Sequence, residues 1–179
     1  MDTTKLEYTA EDLIAHVLQR YGILVAKPKF DREGADLLAF AELADGVKFC
    51  RIQCKGRTLI DSNSSNIKIP KSYVSPSLVV FLFIDNGVVE DINLYCFFSS
   101  DIEQWNTSNN NYVLSIKKGN FHRNLEFYKF NESKIKLIKT VIENAESKGE
   151  FRRIIYGSGN LQAPPATIEG SGGVTPHKA

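Results

Sequence analysis

Near the N-terminus, apolar residues return at helical spacing: Leu13, Ile14, Val17, Leu18 and Tyr21 share one side of a 3.6-residue repeat. The pattern predicts an amphipathic helix from about Thr9 to Tyr21, with Thr9 as N-cap, Asp12 three residues later and Gly22 as the stop. Two segments of strand character follow, GADLLAF and FCRIQCKGR. Asp45-Gly46 joins them, a dipeptide suited to a tight hairpin turn because both of its central residues take positive φ.

Beyond Lys55 comes a polar run, GRTLIDSNSSN, and then IKIPKSYVSP, in which Pro70 can open a short helix. SLVVFLFI is a continuous apolar run of strand length, the composition of a strand buried on both faces. The stretch between Lys55 and Leu78 is long enough for a parallel crossover. NLYCFF predicts another strand, SSDIEQW a short helix capped by Ser100, and YVLSIKK a later strand. SKIKLIKTVIENAESKG, with Ile135, Ile138, Val141 and Ile142 on one side, predicts a closing amphipathic helix ended by Gly149. The expected architecture is mixed α/β, built on one sheet.

The candidate chemistry lies in the predicted hairpin. With Asp45 and Gly46 as its two loop residues, Asp36 faces Lys55, and Leu38 faces Gln53. Asp36, Gln53 and Lys55 then share one face near the open end. A one-residue slip would send one strand's side chains to the other face. A carboxylate is a hard oxygen ligand for Mg²⁺, which keeps several waters and is usually held by one or two protein carboxylates together with phosphate oxygens. Gln53 offers an amide oxygen, or lies beside the carbonyl of Cys54 as a second neutral ligand. Lys55 supplies a point charge for a phosphate or an attacking water. The same spacing equally suits a cross-strand ion pair between Asp36 and Lys55 on a surface hairpin. Glu11 falls at the edge of the first helix's apolar stripe, where it leans towards a metal or serves as an exposed first-turn acid favoured by the helix dipole.

The stretch from Glu11 to Arg57 resembles the PD-(D/E)xK nuclease superfamily, in particular its Holliday-junction-resolvase-like and Mrr-like branches. EDLIAHVLQRYG, GAD at the head of a hydrophobic strand, and QCKGR follow that family's order of helix, Gly, strand, Asp-strand, turn and QxK strand. The resemblance implies a restriction-endonuclease-like mixed β-sheet core flanked by helices. It also implies Asp36 as central metal ligand, Lys55 as active-site lysine, Gln53 in the second acidic position, the Cys54 carbonyl as an extra ligand and Glu11 as an accessory one. Ala35 stands where the name-giving Pro would be, and Gln53 replaces Asp or Glu, as in Mrr-like members.

Charge adds a partner to that picture. The net charge is +1, but residues 1–45 hold 5 basic and 9 acidic side chains, 46–73 hold 6 and 1, 74–116 hold 0 and 5, and 117–156 hold 10 and 5. Two positive blocks converging beside Asp36 would track phosphates, with Arg57, Lys68, Lys71, Lys117, Lys118 and Arg123 as candidate DNA contacts. Phe121, Phe127, Tyr128 and Phe130 interleave with basic residues; they suit base stacking or a partly buried hairpin. The lysines of the closing helix suit either a phosphate rim or a solvated face.

At 179 residues and 42% hydrophobic content the chain reads as one domain over residues 1–156, followed by a Gly-, Ser- and Pro-rich disordered tail at 157–179. Neither a membrane-spanning run nor a signal peptide is visible, so a cytoplasmic protein is expected. Cys50, Cys54 and Cys96 are odd in number and sit in predicted strands, as reduced small hydrophobes do, while His16, His122 and His177 show no metal spacing. The expected function is a DNA nuclease using Mg²⁺ or Mn²⁺ and hydrolysing phosphodiesters by metal-activated water. Two alternatives stand beside it: a DNA-binding or regulatory module that keeps the fold without turnover, and a subunit that cuts only within a larger assembly; the expected partners are DNA and either a second copy, as a homodimer, or a larger nucleic-acid-processing assembly.

Overall fold

A computed structural model describes residues 3–29, 34–43, 46–87 and 93–145. The expected tail at 157–179 and the Gly149 helix stop lie outside the described residues, as does Asp45 of the expected turn. Helix α1 spans Thr3–Arg20, so it starts well before the expected cap: Thr9 is an exposed interior position, and Glu11 sits mid-helix instead of in the first turn. The helix does end at Gly22, whose φ of +74° lets Gly22 N–H reach Gln19 O at 2.9 Å and Ile23 N–H reach Leu18 O at 3.1 Å.

Strands β1 (Leu24–Ala26), β2 (Leu37–Leu43), β3 (Gly46–Thr58), β5 (Leu78–Asp85) and β6 (Asn93–Phe98) form one sheet in the order β1-β2-β3-β5-β6. Only the central β3–β5 pair is parallel. Its crossover carries β4 (Ser64–Pro70) and a 3₁₀ turn, Lys71–Tyr73, which begins directly after Pro70. Strand β4 belongs to a second sheet that the sequence pattern did not anticipate, ordered β4-β8-β7, with β7 at Asn106–Ser108 and β8 at Asn111–Lys117.

These layers bury both faces of the large sheet. On one side, Ala10, Ile14 and Leu18 of α1 and Ile135, Ile138 and Ile142 of α4 (Glu132–Glu143) cover Leu37, Ala39, Cys50, Ile52, Val79 and Phe81. On the other, Ile67, Ile69 and Ile116 of the small sheet pack over Leu78, Val80, Leu82, Ile84, Tyr95 and Phe97. Covered twice, β5 has no polar face to show, which is why its sequence does not alternate.

Three local expectations are corrected. Helix α2 (Ser99–Ile102) is capped not by Ser100 but by Asp101, whose Oδ2 accepts the Phe98 N–H at 2.9 Å. The aromatic stretch after Lys118 is not a hairpin: it forms α3 (Phe121–Leu125) and a 3₁₀ turn, Glu126–Tyr128. Lys134 of α4 is not on a solvated face, because it is buried with its Nζ 5.2–5.6 Å from the ring centres of Phe98, Phe127 and Tyr128. A lysine shut among rings by cation–π attraction is poorly placed to meet a phosphate.

Candidate functional site

Strand β3 is longer than its neighbour β2. Their ladder runs from Leu43 opposite Gly46 to Leu37 opposite Ile52, and β3 then continues to Thr58 with β5 as its strand partner. The site residues gather where β2 stops. Asp36 N–H donates to Ile52 O at 2.9 Å, the carbonyl of the residue that Leu37 already faces, so the regular ladder stops at Leu37 and Asp36 is held just beyond it.

The hairpin register therefore differs from expectation by two residues: Leu38 faces Arg51, not Gln53, and Asp36 lies beyond the last paired residue, bound to Ile52 and not opposite Lys55. The paired strands leave residues 44 and 45 between them, instead of 45 and 46. Moving a two-residue loop by one position shifts cross-strand partners by two, and an even shift preserves which face each side chain occupies. Gln53 and Lys55 thus remain on one face of β3, while Asp36 lies beyond the last paired residue of β2 and is bound to the β3 backbone at Ile52 and Cys54. No ion pair links Asp36 to Lys55 among the described residues.

Each member is held by identifiable contacts. Asp36 Oδ2 accepts the Cys54 backbone N–H at 2.6 Å, a short charge-assisted bond that anchors the carboxylate over β3. Gln53 is 6% exposed, and its Oε1 is buried with no hydrogen-bond partner. A buried acceptor left unsatisfied costs about 1–3 kcal/mol, so this atom calls for a partner. Lys55 is half-buried on the same face.

Helix α1 closes over the other face at this point. A Cβ at Gly56 would lie 3.0 Å from the backbone carbon and oxygen of Leu6, so glycine sets how near the helix can come. Glu11, at 13% side-chain exposure, pairs with Lys27 just beyond β1 (Nζ to Oε2, 2.5 Å). Both Glu11 and Asp36 act on the Cys54 thiol: burial raises its pKa first and the two carboxylates raise it further, while Lys55 and Lys27 oppose them. Cys54 is thus the point at which the charges from the sheet and from α1 meet. Among the described residues there is no cluster of three or more His, Cys, Asp or Glu side chains able to hold a metal. The donors on offer are one carboxylate and one amide oxygen, both hard, of the kind Mg²⁺ accepts.

Arg51 and Tyr73 complete the surroundings and were not singled out from the sequence. Buried Arg51 shares the face of Gln53 and Lys55, and its Nη2 donates to Tyr73 O at 3.2 Å and to Ser75 Oγ at 2.6 Å. This ties the crossover segment onto β3. The period-two alternation of Arg51, Gln53 and Lys55 was the available signal for Arg51; Tyr73 and Lys27 had none, since their roles arise only from contacts distant in sequence.

The candidate phosphate contacts divide into groups. Ser64, Asn66 and Lys68 point outward on β4, opposite Lys117, Ser115 and Val113 of β8, and Lys68 and Lys117 are exposed there. Lys118 lies at the β3–β4 connection, with Nζ donating to Ile60 O at 3.0 Å. The positive blocks at 46–73 and 117–118 therefore meet. Lys71 packs its Nζ 5.4 Å from the Tyr112 ring centre, Arg57 donates from Nη1 to Gly56 O at 2.6 Å, and Arg123 is exposed on α3. Lys136 and Lys139 are exposed on α4, across the large sheet from this group.

No family model matches the sequence, and no curated protein matches it. Among solved structures, the chain is similar to a bacterial homing endonuclease, I-Ssp6803I, with a TM-score of 0.50 and 14% identity over 82% of this chain and 100% of that one. At that identity the likeness is one of fold, and the fold is nuclease-like. No helix among the described residues is long and apolar enough to cross a membrane.

Proposed function

We propose that this chain is a divalent-metal-dependent DNA nuclease of the PD-(D/E)xK type, in its QxK form. The observation that carries the reading is the buried, unpartnered Oε1 of Gln53 beside the anchored carboxylate of Asp36, at the place where β3 outruns β2. A hard cation would satisfy that oxygen, and the Asp36 carboxylate supplies the charge to hold it. The Cys54 carbonyl is a further neutral donor at the same point, and Glu11 could join only by leaving Lys27.

A bound Mg²⁺ or Mn²⁺ would lower the pKa of a coordinated water and screen charge on the phosphodiester. Asp36 is kept in place for this by the Cys54 N–H. Lys55, on the face of Gln53, contacts a non-bridging phosphate oxygen and stabilises charge that develops there. Lys68 and Lys117 on the outer face of the small sheet, with Arg57, Lys71, Lys118 and Arg123, position the DNA backbone without reading sequence.

One feature favours a second reading, a DNA-binding module without turnover. Gln53 is neutral and Glu11 is engaged by Lys27, so the site has less negative charge for a cation than a two-carboxylate site has. Incubating the purified protein with plasmid and with branched DNA, in Mg²⁺, Mn²⁺ or EDTA, separates the two. Cleavage that needs the metal and is abolished in Asp36→Asn supports the nuclease. DNA binding without cleavage in any metal supports the module.

A further inference from the structure

A cavity of about 260 Å³ lies where α2, β8 and the stretch from Phe121 to Tyr128 meet. Trp105, Phe121 and Tyr128 line it with rings, and Gln104, Asn124 and Lys117 with amides and an ammonium. Asp101, the single carboxylate of the lining, has Oδ2 taken up by the Phe98 N–H at 2.9 Å, and its other oxygen can accept from a ligand amine. Trp105 and Tyr128 are only partly buried, so part of each ring stays accessible. An empty packing defect is apolar and dry. This cavity offers aromatic surface and hydrogen-bonding groups together. Its size is below the ~300–1,000 Å³ of sites for drug-sized ligands, which suits one planar ring system.

The register of the large sheet relates this cavity to the candidate site. Gln53 is paired with Val80 and Val80 with Phe97, and partners in register share a face of a sheet. Phe97 therefore lies on the side of Gln53, two strands across, about 10 Å away at ~4.8 Å per strand. Trp105 and Tyr128 both pack on the Phe97 ring, with ring centres 5.2 and 4.7 Å from it. From Gln53 to Phe97 is about three base steps along one DNA strand, at ~3.4 Å each. Lys117, which lines the cavity, is also one of the exposed lysines of the small sheet, so the proposed phosphate path runs to the cavity's edge.

We propose that this cavity takes up one unpaired nucleobase of the bound DNA: Trp105 and Tyr128 stack on it, Gln104, Asn124 and Asp101 meet its edge, and Lys117 holds the adjoining phosphate. Resting on the DNA-nuclease reading, this gives it a substrate class, DNA with a base outside the helix. Every base has a π face to stack, but only one in a single strand or turned out of a duplex can enter a cavity.

Trp105 is the only tryptophan of the chain, so its emission reports on the cavity. The test is a fluorescence titration in EDTA, which prevents cleavage, and again in Ca²⁺. Three duplexes of otherwise identical sequence are used: fully paired, with one bulged adenine, and with an abasic residue in the bulge. The bulged adenine should quench Trp105 emission and bind at least about fivefold tighter than the abasic bulge, the low end of what one aromatic stacking contact supplies. Tyr128→Leu should remove that preference and leave binding of the paired duplex within about twofold of wild type. Deoxyadenosine monophosphate alone should quench only at far higher concentration, since it brings one phosphate where a duplex brings many. Equal affinity for the two bulges, a preference that survives Tyr128→Leu, or a preference without any change in Trp105 emission each overturns the proposal and leaves the nuclease standing. Free nucleotide binding as tightly as the bulged duplex makes the site one for a mononucleotide and overturns it too. No binding of any duplex in either condition overturns the DNA reading itself, and this proposal with it. Should Tyr128→Leu fail to fold, the two bulges compared on wild type decide: a fivefold preference with quenching supports the proposal, and its absence overturns it.

Discussion

Asp36 and Cys54 are joined by a 2.6 Å hydrogen bond from the Cys54 backbone N–H to the Asp36 carboxylate, across the point where β2 has ended and β3 continues. The bond makes strand geometry the determinant of the carboxylate's position. It also separates two jobs of Asp36, since an amide oxygen could accept the same N–H but would lack the charge.

Asp36→Asn should therefore fold normally and lose cleavage. The expected loss is at least about 10²-fold, the scale for removing one preorganised electrostatic interaction with a transition state. A thermal melt within a few degrees of wild type, together with plasmid nicking at equal protein concentration, checks both halves. Residual activity within about tenfold would remove Asp36 from the site.

Lys55→Ala should abolish turnover while leaving Mn²⁺ affinity almost unchanged, because an ammonium has no lone pair with which to ligate a cation. Calorimetry and a cleavage assay on the same preparation make the comparison. A parallel loss of metal binding would mean that Lys55 organises the donors instead of acting on phosphate.

Lys68→Glu and Lys117→Glu, on the outer face of the small sheet, should weaken DNA binding and reduce the salt dependence of log K by about one for each phosphate no longer neutralised. Lys136→Glu and Lys139→Glu on α4 should leave both nearly unchanged, since they lie across the large sheet. Fluorescence anisotropy over a range of salt concentrations distinguishes the faces; a larger effect from the α4 pair would move the DNA path to the helical side.

Gly34→Ala should destabilise the fold by about 1–3 kcal/mol, the cost of a strained backbone conformation. Its φ is +71°, and the added methyl would fall 2.5 Å from the Tyr73 ring. Urea unfolding of the variant beside wild type measures this.

Alkaline pH should weaken the fold through the buried thiols. Burial lifts the Cys50 thiol from 9.0 to about 12, and Cys96 is raised for the same reason. Between pH 9 and 12 the unfolded chain releases the Cys50 proton while the folded chain keeps it, so stability falls as pH rises. Each such thiol contributes a slope of about 1.4 kcal/mol per pH unit. Cys50→Ala should flatten the decline seen in urea titrations over that window, and an unchanged slope would show that Cys50 does not take part.

What the sequence by itself determined follows from short-range periodicity. The apolar spacing of α1 and α4, the Gly22 stop, the unbroken apolar run of β5 and the crossover long enough for a parallel β3–β5 pair were all legible. So was the shared face of Gln53 and Lys55, because a period of two survives any even shift of register. The partner across the strand was not legible: whether the paired strands leave 44–45 or 45–46 between them makes little difference to local preference, and packing chose the register that sets Leu38 opposite Arg51 and ends the ladder at Leu37. Nor could the pattern show that the polar run after Lys55 carries a second sheet, because β4 finds its partner in β8, over forty residues away. The pairing of Glu11 with Lys27, the burial of Lys134 among three rings, and the approach of Tyr73 to Gly34 have the same origin. Each joins residues whose local sequence is indifferent to the other, so only the closing of the tertiary structure brought them together.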